Sequence, residues 1–266
     1  MGLEITIVGA RDFLKHDEAT IGSEMSRYEL IWIASIPELQ LSILRKLINI
    51  KLKIVLEKPI ATNEQSWNEL DEVLFQSSSS IFYSQPWTYS KIWEKSIEEI
   101  SNLSLPISID IYRSGKEGRE IYSGAQDWLP HDLYLLEDLL KKIDAFEGNL
   151  EFTKKQEINN FSLAIANKIT VNFKFHVTPE REMRWIVSSS RVEMLEIDFF
   201  KMALKRLALK THLSRQELDN FSEDHPLVNM LSWYLSADLF SGSNYIPNLQ
   251  VLVAKNFEDF KLWDLK

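Results

Sequence analysis

Short runs of consecutive apolar residues, rich in β-branched types, punctuate the first third of the chain. They are Ile5–Ala10 (ITIVGA), Leu30–Ser35 (LIWIAS), Lys53–Leu56 inside LKIVLEKP, and Ile81–Ser84 (IFYS). Runs of this kind suit a parallel sheet covered on both faces. Between them the apolar spacing becomes helical. Pro37–Ile50 places Leu39, Ile43, Leu44, Leu47 and Ile48 on one stripe. Asn63–Phe75 opens on an N-capping residue type and lines up Trp67, Leu70, Val73 and Leu74. Strand–helix–strand repetition predicts βαβ units.

After Trp87 the pattern changes. A helix is expected over Lys91–Ile100, and a half-buried strand over Ser108–Arg113 (SIDIYR). A strongly amphipathic helix, containing HDLYLLEDLLKKI, falls within Ala125–Lys142. Four alternating segments follow, Phe161–Ala166, Lys168–Val177, Glu182–Ser189 and Arg191–Phe200. They suit an antiparallel sheet with one covered face. Helices return over Pro226–Phe240 and Pro247–Phe260. We expect an α/β nucleotide-fold domain over residues 1–90 and an α+β domain with an open antiparallel sheet over residues 91–266.

Composition narrows the chemistry. The 266 residues carry 30 Lys and Arg against 39 Asp and Glu, a net charge of −9. An acidic surface repels phosphate backbones, so no nucleic-acid partner is expected. The chain has no Cys, which excludes thiolate metal sites, disulfide scaffolds and cysteine nucleophiles, and fits a reducing cytoplasm. No run of eighteen apolar residues is present, so no membrane span is expected. The opening MGLEITIVGARD carries Glu4 and no basic run, and is not expected to be a secretory leader.

Two motifs stand out. Glu57-Lys58-Pro59 closes an apolar strand. In an open parallel sheet, ligands bind beyond the carboxyl ends of the strands, where a lysine can donate to a substrate oxygen. A lone lysine at a strand end is more often merely solvated. The second motif is Asp127-Trp128-Leu129-Pro130-His131 at the start of the amphipathic helix. If the stretch is helical, with Pro130 in the first turn, Asp127 and His131 share a face. A carboxylate beside an imidazole orients it and tunes it toward proton transfer near neutral pH. Taken alone, Asp127 reads more readily as a helix cap and His131 as a packed or surface residue.

Together the motifs resemble one family. Ile31–Leu70 is similar to the second half of the dinucleotide domain of the glucose–fructose oxidoreductase / inositol dehydrogenase (Gfo/Idh/MocA) family. DWLPHDLYLLEDLL resembles that family's active-site helix, and HPLVNMLSWYLSADLFSG its returning helix. The resemblance implies a shortened Rossmann-like domain followed by an α+β domain. It implies an oxidoreductase using NAD or NADP on a sugar-like or cyclitol substrate. Lys58 then touches the reacting oxygen, His131 is the general acid or base, and Asp127 orients the substrate or His131. Gly9, Ser35, Pro37, Glu57 and Lys58 fall at the family's cofactor-binding positions. The resemblance also implies homo-oligomers formed through the carboxyl-terminal sheet. Where the family commonly has an acid three residues after the histidine, this chain has Tyr134.

The front of the chain departs from the pattern. A dinucleotide fold uses G-x-G-x-x-G after its first strand, for a tight turn and close approach to the diphosphate. Here the strand is followed by Gly9-Ala10-Arg11-Asp12-Phe13-Leu14, with Arg11 and Leu14 at two glycine places. Only nineteen residues, Arg11–Glu29, separate the first two strand runs, where a βαβ unit takes roughly 30 or more. In the strand order 3-2-1-4-5-6, loss of edge strands 3 and 2 leaves a continuous sheet, so Ile5–Ala10 is assigned to the central slot. That loss removes the adenosine edge while sparing the nicotinamide end. The alternative is therefore a non-catalytic relative that has lost the cofactor and binds a carbohydrate or a partner protein.

Lesser features have plainer explanations. Trp87 and Trp128 could flank a sugar ring, but such residues more often pack in a core. His16, Asp17 and Glu18 read as a solvated crossover rather than a metal site. Lys201–Lys210 (KMALKRLALK) is a basic amphipathic segment that fits a surface helix or an extended strand.

Overall fold

The computed structural model describes residues 15, 18–61, 64–116, 124–144, 150–157, 160–165, 168–189, 193–208, 215–238 and 249–251. The expected first strand Ile5–Ala10, with Gly9 and the following Arg11–Leu14, lies outside them, as do His16, Asp17 and most of the expected last helix. Two compact units emerge. One is Met1–Ser84 with Leu231–Lys266, and the other is Gln85–Met230. The division falls a few residues before the expected boundary at 90. It also assigns the residues from Leu231 onward to the first unit, where a simple two-part reading put them in the second.

In the first unit, β1 (Leu30–Ile33), β2 (Lys53–Leu56) and β3 (Ser80–Tyr83) form a parallel sheet in the order β1-β2-β3. Register runs Ile33↔Leu56↔Tyr83 at the carboxyl ends. The crossovers are α2 (Pro37–Leu47) and α3 (Glu64–Gln76), and the short α1 (Glu18–Met25) precedes β1. All four β3 residues and three of the four in β2 are buried. Leu44 and Leu47 of α2 and Trp67, Leu70 and Leu74 of α3 supply the helical share of this core. That explains continuous apolar runs rather than alternation.

In the serine run before β3, Ser79 is buried and Ser77 and Ser78 are half-buried. Ser79 donates its hydroxyl to the carbonyl of Ile50, and the Ser78 N–H donates to Ile48 at 2.6 Å, so carbonyls just past α2 find partners. Helix α6 (Pro226–Ser236) ends in this unit. Tyr234 stacks on Phe82 with ring centres 4.5 Å apart and donates its hydroxyl to the Tyr83 carbonyl. Lys53 donates to the Leu235 carbonyl at 2.6 Å, a cation at a helix C-terminus.

The second unit holds an eight-stranded sheet of order β11-β10-β9-β8-β4-β7-β6-β5. Its strands are β4 (Ile107–Gly115), β5 (Leu150–Glu157), β6 (Asn160–Ile165), β7 (Ile169–Val177), β8 (Glu182–Ser189), β9 (Glu193–Asp198), β10 (Ala203–Ala208) and β11 (Arg215–Asn220). Neighbours pair antiparallel except β4 with β7, which run parallel, so the sheet is mixed rather than wholly antiparallel. The intervening α5 (Gly124–Lys142) and the β5–β6 hairpin return the chain in the β4 direction. Within KMALKRLALK, Ala203–Ala208 forms β10, with Leu204 fully buried and Lys205 paired to Glu196.

Alternation along β4 sends Ile107, Ile109, Ile111, Arg113 and Gly115 inward. Helix α5 covers that face with Leu129, Leu133, Leu136, Leu139 and Leu140, and α4 (Lys91–Ser101) adds Ile92 and Trp93. Arg113 is charged at a core position, and α5 answers it. Its Nε donates to Asp132 at 2.6 Å, and the Trp185 indole donates to the other carboxylate oxygen at 3.0 Å. Burial pushes the Asp132 carboxyl up, while Arg113 and Trp185 pull it back. The opposite face is polar. Ser162, Asn172 and Asp110 form a hydrogen-bonded row, and Lys174 binds Asp110 and the Tyr112 hydroxyl, both at 3.0 Å.

Removing one partner of a buried ion pair leaves a charge without compensation, so Arg113→Met is expected to cost about 3–5 kcal/mol. Arg113→Met/Asp132→Leu is expected to recover most of that loss. Urea unfolding of the three proteins measures both; a single variant as stable as the parent contradicts the pairing.

Candidate active site

The Lys58 loop is held by one side chain. Gln40, in the first turns of α2, is 1% exposed. Its amide nitrogen donates to the carbonyls of Ser35 (2.9 Å), Glu57 (2.7 Å) and Pro59 (3.3 Å), and its oxygen accepts from the Glu57 N–H at 2.9 Å. The Glu57 N–H also reaches the Ile33 carbonyl at 3.2 Å. Glu57 turns its carboxylate back to accept from the Lys58 N–H at 3.1 Å. Residues after β1 and residues after β2 are thereby tied at the carboxyl edge of the sheet.

Ser35, Glu57 and Pro59 therefore meet around one buried amide, with Lys58 between the last two in the chain and Pro37 buried at the head of the same helix. The Lys58–Pro59 bond is cis. Helix α2 starts without a side-chain cap, because Ile36 at that place has no oxygen to offer. Sequence reasoning passed over Gln40. Its signal was available: position 40 falls three and four residues before Ile43 and Leu44, on the buried stripe, where a polar residue needs partners.

In the second unit, α5 carries Asp127 and His131 one turn apart. The helix begins at Gly124, so Pro130 lies inside it rather than in its first turn. Pro130 has no N–H to give to the turn before it. Asp127 sits in the first turn, where a carboxylate complements the helix dipole. The Nδ1 atom of His131 lies 2.9 Å from the Gln85 side-chain oxygen. Gln85 is 2% exposed and lies two residues past the end of β3 in the chain.

Two tryptophans near these residues are packing groups. Trp128 lies against Gly115, where an added Cβ would come within 3.1 Å of its ring, so a strand residue without a side chain makes room for the helix. Trp87 meets Phe199 and Phe200 edge-on, at 5.6 Å and 6.2 Å. Tyr134, in place of the family's acid, has its hydroxyl held well above the ordinary phenol range by burial first and by Tyr89, Asp138 and Glu137 next. It stays protonated near neutral pH and is no proton acceptor. Among the described residues no group of three His, Asp or Glu could hold a metal. No described helix is long and apolar enough to cross a membrane.

No protein-family model matches the chain, and no curated protein matches it in sequence. Solved structures do match in fold. A dehydrogenase (MviM) from Clostridium difficile superposes with a TM-score of 0.68 at 12% identity, over 94% of this chain and 82% of that one. UDP-N-acetylglucosamine 3-dehydrogenase GnnA from Acidithiobacillus ferrooxidans gives 0.63 at 12% identity, over 91% and 82%. A super-repressor mutant of Gal80p from Saccharomyces cerevisiae gives 0.61 at 13% identity, over 82% and 67%. The chain has the fold of Gfo/Idh/MocA-type dehydrogenases.

Gln40→Leu keeps the volume of the side chain but takes a donor from three carbonyls and one of two acceptors from the Glu57 N–H. It is expected to lower unfolding stability by about 3 kcal/mol. Urea denaturation checks this, and a change under about 0.5 kcal/mol would remove Gln40 from its role as the clamp.

Proposed function

We propose that the chain is an NAD- or NADP-dependent oxidoreductase acting on a hydroxyl or carbonyl of a sugar or cyclitol. The observation that carries the reading is the Glu57-Lys58-Pro59 loop, clamped by Gln40 at the carboxyl end of a parallel sheet in a dehydrogenase fold. Ligands of such sheets bind at that edge. The residues there fit the nicotinamide end of the cofactor. The α2 start has no side-chain cap, which supports a role for its first turn in meeting polar ligand oxygens, with Ser35, Pro37 and Glu57 as the proposed cofactor-binding residues beside it. Gly9 belongs to the same proposed set from the sequence.

A bound nicotinamide would take or supply the hydride. The chain's own residues handle the oxygen and its proton. Lys58 donates a hydrogen bond to the reacting oxygen, which favours the alkoxide or polarises the carbonyl. In the oxidative direction His131 takes the hydroxyl proton as the carbonyl forms; in the reductive direction it returns that proton. Asp127, one turn earlier on α5, orients the substrate or the imidazole.

A second reading keeps the fold and discards the chemistry. A repressor, the Gal80p super-repressor, is among the solved structures sharing this fold, and Arg11 and Leu14 stand at glycine places. In that reading the chain binds a carbohydrate or a partner protein without turnover.

Cofactor binding separates the two. Titration of NADH and NADPH against tryptophan fluorescence is expected to saturate with a dissociation constant of about 1 mM, weak because adenosine contacts are missing. Lys58→Met is expected to weaken binding further and, with substrate, to lower kcat/KM by about 100-fold. No response at several millimolar cofactor favours the second reading. A reductase activity that survives Lys58→Met undiminished removes Lys58 from the mechanism.

A further inference from the structure

Beside the carboxylate that the spacing suggests, the structure gives His131 a second neighbour, the buried amide of Gln85. The side-chain oxygen of Gln85 faces Nδ1 of the ring at 2.9 Å. A carbonyl oxygen only accepts, so this contact requires the proton on Nδ1 and leaves the lone pair of the neutral ring on Nε2. We propose that Gln85 is a positioning residue that selects the Nδ1–H tautomer of His131, making Nε2 the basic nitrogen. The proposal rests on the assignment of His131 as the proton-transferring group.

Three features hold Gln85 to that task. Its backbone is pinned, because its carbonyl accepts from both the N–H (3.2 Å) and the hydroxyl (2.8 Å) of Thr88 in the 3-10 turn Pro86–Tyr89. Its side chain is not used to cap that turn, although it stands at the capping position. Its amide nitrogen is buried with no hydrogen-bond partner among the described residues. A buried amide that leaves its donors unmatched while matching its acceptor to an imidazole is committed to that contact. An imidazole in water prefers the opposite tautomer, with the proton on Nε2, which could not serve as a base there. The contact thus changes the chemistry of the ring and not only its orientation.

The test reads the tautomer directly. Long-range proton–nitrogen NMR correlations on protein with 15N-labelled histidine distinguish Nδ1–H from Nε2–H in each of the five histidines, with His131→Asn assigning the signal. Measured at a pH where His131 is neutral, the native protein is expected to show Nδ1–H. Gln85→Met is expected to move the ratio roughly tenfold toward Nε2–H. Gln85→Glu, which keeps an acceptor oxygen, is expected to restore Nδ1–H. Unchanged signals from the other histidines verify the fold of each variant. Nε2–H in the native protein, or a ratio that Gln85→Met leaves unmoved, overturns the proposal. The readout needs neither cofactor nor substrate. A chain that binds no dinucleotide yet shows the Gln85-dependent tautomer sinks the enzyme reading and leaves this contact standing. A chain that turns over with the wrong tautomer does the reverse.

Discussion

One buried amide sets the geometry of the first unit's functional edge. Gln40 has four hydrogen-bonding neighbours on two separate loops, and each is a backbone group that would otherwise lack a side-chain partner. Backbone leaving a sheet must satisfy its carbonyls and N–H groups without the ladder that served them inside it. Here a helix that packs on the sheet provides the partner. The loop bearing Lys58 is consequently fixed by α2, the same helix whose open start lies after β1. Loss of the amide would release Ser35, Glu57 and Pro59 together.

The second unit solves a similar problem by different means. Helix α5 must lie close enough to β4 to present His131 reproducibly. Gly115 gives room to Trp128, and Asp132 accepts from Arg113 and Trp185. These contacts flank His131 on its own helix, at positions 128 and 132. The Trp93 indole adds a bond to Asp138 at 2.8 Å two turns further on. Gln85 then orients the imidazole on a helix that is already anchored.

Much of this was legible in the chain itself. Apolar runs located β1, β2 and β3 to within a residue or two, because strands buried on both faces admit few polar residues. Helical periodicity located α3, α4 and α5 as closely, and the starts of α2 and α6, whose ends at Leu47 and Ser236 come before the expected Ile50 and Phe240. The strands β5 and β11 were not read as strands, and the segment of β10 was left between a surface helix and a strand extension, since their mixed polar and basic composition carries no clean alternation. The parallel pairing of β4 and β7 is a non-local choice that neither segment encodes alone. At the site, Lys58, Asp127 and His131 were visible as motif residues. Gln40 and Gln85 were not, because a glutamine has no motif; its meaning comes from the backbone or ring that folding brings to it.

Among the described residues, no strand lies outside β1 on the sheet edge where a full dinucleotide fold continues. The proposed function depends on use of the nicotinamide half of the cofactor, and that is the claim to test. Saturation-transfer difference NMR with NADH measures which end of the dinucleotide touches the protein. Strong transfer to the nicotinamide protons with weak transfer to the adenine protons is the expected result. Transfer confined to the adenine ring, or none to either ring, would contradict it.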